Sequence, residues 1–159
     1  ILLVDVSNDA NANRGEKEMF DRREKATKTT RMQAHIERIA NDNGIKIIAS
    51  KSNRGWACRE EKYIEIPAVK SPTTYALALH ELGHCLGKRQ SDTRLLSEIG
   101  AWEWAVENAF FWKPSMTKKM RRGLESYVRK YTRVKYANDP TPAEIRLIEG
   151  LCAASAHLW

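Results

Sequence analysis

The chain has 159 residues, 42% hydrophobic and 30% charged, the size and balance of one globular domain over residues 1–159 and not of a disordered or fibrous chain. No apolar run approaches the ~18–20 residues of a membrane span, and Ile1–Val4 is too short and lacks the flanks of a signal peptide. The formal net charge is +7, and the three cysteines, Cys58, Cys85 and Cys152, are too few and too scattered for a disulfide framework or a cysteine-based metal site, which points to a reducing, cytoplasmic setting.

In chain order, Asn8–Gly15 is rich in turn-forming residues and is expected to be a loop. A helix is predicted from Glu16 to about Asn43, with Phe20, Met32, Ile36, Ile39 and Ala40 as a sparse apolar stripe and Gly44 as its C-cap. Ile45–Ala49 reads as a short strand and Ser52–Gly55 as a turn. Tyr63–Ile66 alternates until Pro67 stops it, which predicts a second strand near a sheet edge. Ser71-Pro72 opens a helix running through Tyr75, Leu77, Leu79 and Leu82 to Gly87. A third helix is predicted over Arg94–Lys113, with Leu95, Ile99, Trp102, Val106, Ala109 and Phe110 on one face and Pro114 as its stop.

Next comes the charge. Lys113, Lys118, Lys119, Arg121, Arg122, Arg129, Lys130, Arg133 and Lys135 face only Glu125, so residues 113–135 carry the whole of the net charge and the remainder is near neutral. This segment is expected to be a fourth helix weakened at Gly123. It reads either as a solvated helix face or as a surface for nucleic acid or an acidic partner. Thr141-Pro142-Ala143-Glu144 has the form of a capping box and starts a last helix. The order of helix, short strands and helices predicts an α+β fold, mostly helical, with a short sheet ahead of the 71–87 helix.

That helix holds the informative run, His80-Glu81-Leu82-Gly83-His84. Residues four apart project from one face of a helix, so His80 and His84 can share one metal ion, usually zinc in this H-E-x-x-H arrangement. Glu81, on the flank of that face, can reach a water at the metal without being a ligand. The bland alternative is two core or surface histidines beside an exposed acid. Gly83 is a poor helix former, which a close approach of backbone or substrate would explain.

A third ligand must come from elsewhere, and Glu98, one turn into the next helix, is the expected one. Glu103 is the alternative, but at ~100° per residue it lies about 140° from Glu98 around the helix, so the two cannot serve one metal. Trp102 and Ala105 continue the face of Glu98 as apolar surface, where a carboxylate wants a partner. Cys85 is expected to pack as a small hydrophobe and His35 to lie on the surface. Trp102, Trp104, Trp112, Phe110 and Phe111 are expected to be mostly core.

Between about Tyr63 and Trp104 these features resemble the zincin metallopeptidases, specifically the gluzincin branch and its small bacterial and phage ImmA/IrrE-type members. The run from His80 also matches the metzincin pattern up to its last position, where Gln90 replaces a third His. A neutral amide is a poor zinc ligand, and the metzincin assignment is set aside. The resemblance implies a small zincin-like domain with Zn2+ on His80, His84 and Glu98, a protein or peptide substrate, and Glu81 as the base that takes a proton from an activated water. It also implies an oxyanion donor, for which Tyr127, Tyr131 and His157 are candidates, and a substrate-aligning edge strand at Lys62–Ile66. Two rival readings stand beside it: a nucleic-acid-associated binding module with a structural metal, and a zincin relic that binds without hydrolysis.

Overall fold

The computed structural model describes residues 9–133 and 139–158, leaving Ile1–Val4, Asn8 and Lys135 outside. The elements are α1 (Asp9–Asp42), β1 (Lys46–Ala49), β2 (Trp56–Cys58), β3 (Tyr63–Ile66), α2 (Pro72–Leu86), α3 (Arg94–Asn108), α4 (Pro114–Arg133) and α5 (Pro142–Ala156). The fold is α+β and mostly helical, with one three-stranded sheet among the described residues. No helix among them is long and apolar enough to cross a membrane.

The strand order is β1-β3-β2. β1 runs parallel to β3 with Ile47 opposite Ile64, and β2 runs antiparallel with Ala57 opposite Ile64. The expected strand at Tyr63–Ile66 is thus real but central, not near an edge. Its alternation places Ile64 and Ile66 in the core while Tyr63 and Glu65 stay half-buried. Pro67 ends the strand without denying it two partners, because the proline lies beyond the last ladder position.

The centre of the molecule is α2, which touches α1, β2, β3, α3 and α4. Every residue from Tyr75 to Gly83 is buried, so this helix has no solvated stripe. Around it Met32, Ile36, Ile64, Leu95, Ile99, Trp102, Met116, Met120 and Leu124 form one continuous cluster.

Three expectations are corrected. The loop expected at Asn8–Gly15 is helical from Asp9. Nucleation is met further along, where Met32, Ile36 and Ala40 are buried, and upstream growth then gains one hydrogen bond per residue, helped by Ala10 and Ala12. The third helix ends at Asn108, not Lys113. The Asn108 side chain donates to the Trp104 carbonyl, and the chain turns so that Phe111 stacks on Tyr75 at 5.3 Å while the Phe110 amide donates to Tyr75 Oη.

His35, expected on the surface, joins Tyr75, Phe110 and Phe111 in that aromatic group. It is half-buried, and its Nδ1 shares a hydrogen bond with Tyr75 Oη at 2.7 Å. Burial holds its pKa below the ordinary value, and Arg38 nearby adds to this. Of the five aromatic residues expected in the core, Trp102 and Trp112 are buried, but Phe110 is 41% exposed.

Candidate metal centre

The phase of α2 is set at its start. Ser71 Oγ accepts from the Thr74 amide, Thr74 Oγ1 accepts from the Ser71 amide, and Pro72 occupies the first turn. Two turns on, His80 and His84 project from one face, ring centroids 4.6 Å apart. α3 begins at the Thr93 N-cap and brings Glu98, 5% exposed, to the same place. The crossing is close because position 83 has no side chain: a Cβ there would lie 2.9 Å from Ala101 Cα, so the glycine answers to backbone contact.

Glu98 Oε2 lies 3.2 Å from His80 Nε2 and 3.6 Å from His84 Nε2. One ligand atom from each of the three residues falls within a 4.8 Å cluster. Two ligands at ~2.0–2.1 Å from a tetrahedral metal stand about 3.3 Å apart, and the two measured separations bracket that value. Glu103 is elsewhere, paired with Arg89 at 3.3 Å, so the geometry selects Glu98 of the two alternatives.

The orientation of His84 is determined by Gln90. The Gln90 Nε2 donates to the carbonyls of Lys88 and Ser97, both at 2.9 Å, which fixes the amide. Its Oε1 accepts from Ser97 Oγ at 2.8 Å and faces His84 Nδ1 at 3.0 Å. Gln90 Oε1 can only accept, so His84 carries a hydrogen on Nδ1 and turns its Nε2 onto a carboxylate oxygen. Two acceptors facing one another need a cation between them, a proton or a metal. His80 is held differently: its ring stacks on Trp102 at 4.2 Å and 22°, and its buried Nδ1 has no hydrogen-bond partner among the described residues.

Burial alone would raise the pKa of Glu98, but hydrogen bonds from both imidazoles outweigh it and hold the carboxyl well below the usual carboxylate range. Burial lowers the pKa of His80. It acts the same way on His84, where Glu98 reverses the outcome and raises it. Glu81, 5% exposed, is pushed by burial up to about 7, partly opposed by His84. Its side chain passes against Gly55, where a Cβ would come 2.6 Å from the Glu81 carboxyl carbon.

The centre opens into a cleft of about 510 Å³. Gly55, Trp56, Ala57 and Arg59 border it from β2, Gln90, Arg94 and Ser97 from the approach to α3, and Tyr127 from α4. β2 is paired on one side only, to β3. The sheet edge that borders the cleft is thus β2 and not the expected Lys62–Ile66, whose core residues are paired on both sides. Of the oxyanion-donor candidates, Tyr127 lines the cleft and interacts with Glu98 and Arg94. His157 is exposed beyond the end of α5, and the Tyr131 side chain lies outside the description. Cys85 is half-buried, with burial pushing its thiol up to about 11, which suits a packing role.

No protein-family model matches this sequence, and comparison with curated proteins and with solved structures finds no match.

Sequence reasoning missed Gln90, β2 and Arg94. Gln90 left a signal, since it stands six residues after His84 where a third His had been sought. β2 left little, because three residues are too few to reveal an alternation.

Proposed function

We propose that this chain is a zinc-dependent metallopeptidase of the gluzincin type that hydrolyses peptide bonds in a protein substrate. The observation that carries the reading is His84 Nε2, turned by Gln90 onto a carboxylate that also faces His80 Nε2. Two neutral imidazoles and one carboxylate at these separations match a catalytic zinc site, which keeps a further position open. When bound, zinc supplies a Lewis acid that lowers the pKa of water and polarises a carbonyl.

The chain's own residues do the rest. The unpaired edge of β2 receives an extended peptide by main-chain hydrogen bonds. Glu81, raised to about 7 by burial, takes a proton from the attacking water and delivers it to the departing amine. Tyr127 offers its hydroxyl to the oxygen on which charge develops. The three thiols are unpaired, which suits a reducing cytoplasm.

A second reading, a nucleic-acid-associated module with a structural metal, draws on the exposed Lys118, Arg121, Arg122, Arg129 and Lys130 of α4. The buried acid Glu81 beside the triad favours the first. Exchange of Glu81 for Gln decides between them: the variant is expected to retain zinc and to lose peptide hydrolysis by roughly 10²–10⁴-fold. Hydrolysis that survives the exchange, or a zinc-loaded wild type that cleaves no peptide, refutes the peptidase reading.

A further inference from the structure

We propose that the cleft selects peptides with acidic side chains beside the bond to be cut; this rests on the metallopeptidase reading and names its substrate class. The fixed charges at the cleft mouth are unequal. Arg59 follows directly on β2 and is exposed. Arg94 stands across the cleft at the start of α3, its guanidinium 5.6 Å from the Tyr127 ring centre. Lys119, half-buried on α4, is near enough to act electrostatically on both His80 and Glu81.

Against these cations the mouth has, among the described residues, the exposed acid Glu60, which accepts from the Cys58 thiol at 3.7 Å. Glu81 and Glu98 are buried behind it and serve the metal centre. A concave site bordered by charges of mostly one sign focuses such a field, so an anionic side chain is drawn in and a cationic one repelled. A peptide continuing the sheet along β2 passes the end of the strand, where Arg59 follows in the turn that leads to β3. A nucleic acid has no amide groups with which to continue a sheet, so the open edge favours a peptide as the occupant.

The test uses the full zinc-loaded chain carrying Glu81→Gln and three fluorescent peptides of one scaffold, with Glu, Gln or Lys flanking the central bond. Binding is read by anisotropy at low and high salt. The Glu peptide is expected to bind about tenfold tighter than the Lys peptide, with a gap that narrows as salt rises. Adding Arg59→Glu is expected to cut that ratio about threefold or more, and Lys119→Glu, outside the lining, checks the longer-range field from α4. Equal affinities, a preference for Lys, or no binding of any peptide overturns the inference. So does duplex DNA that displaces the Glu peptide and is not displaced by it. Wild-type cleavage of the same peptides separates the two levels. Cleavage without an acidic preference overturns this inference alone; acidic preference in binding without cleavage overturns the peptidase reading alone.

Discussion

His84 is oriented by an amide whose four hydrogen bonds are all made within the protein. An orienting group of this kind fixes the tautomer and the aim of the ligand atom without adding charge. Exchange of Gln90 for Leu is therefore expected to weaken zinc binding by about 10–100-fold, measured by competition with a chromophoric chelator. An unchanged affinity would show that the ring needs no such guide. The two histidines were legible in the sequence because helical phase brings them to one side of α2, and Glu98 because its face of α3 continues as apolar surface. Gln90 was legible only as a missing ligand. Its role depends on where the carbonyls of Lys88 and Ser97 fall, and that is set by the path between two helices. The same holds for His35, whose neighbours Tyr75 and Phe110 come from distant parts of the chain.

At the scale of elements, the centre depends on how closely α2 and α3 cross. In an open helix, Gly83→Ala would stabilise by up to about 1 kcal/mol through propensity. Here the added methyl meets the backbone of Ala101, which cannot swing aside as a side-chain tip would. The variant is expected to be destabilised by about 1–3 kcal/mol in denaturant unfolding of the metal-free protein, and to bind zinc more weakly as Glu98 is pushed from the histidines. Stabilisation would refute the close crossing. Caps were the most readable element features: Ser71 is the N-cap its sequence announces, adding a box through Thr74, and Thr141 forms the expected box. The strand order was not readable, because nothing in Tyr63–Ile66 itself says that the brief segment Trp56–Cys58 pairs outside it. The early end of α3 was hidden for a related reason, since Phe110 and Phe111 leave the helix for partners on α1 and α2.

At the scale of the whole molecule, the net charge of +7 is gathered on α4, which buries Met116, Met120 and Leu124 and turns most of its cations outward. That helix also supplies Tyr127 and Lys119 to the surroundings of the triad, so the basic segment and the candidate centre belong to one region of the surface. The sequence displayed the charge and the histidine motif separately; only the packing of α4 on α2 and α3 joins them. The central claim is that His80, His84 and Glu98 hold a metal ion. Elemental analysis after zinc loading and removal of free metal tests it directly, on wild type, Glu98→Ala and Glu103→Ala. About one zinc per chain is expected in wild type and in Glu103→Ala, with most of it lost in Glu98→Ala. A wild type that retains no zinc, or a Glu98→Ala variant that retains as much as wild type, would contradict it.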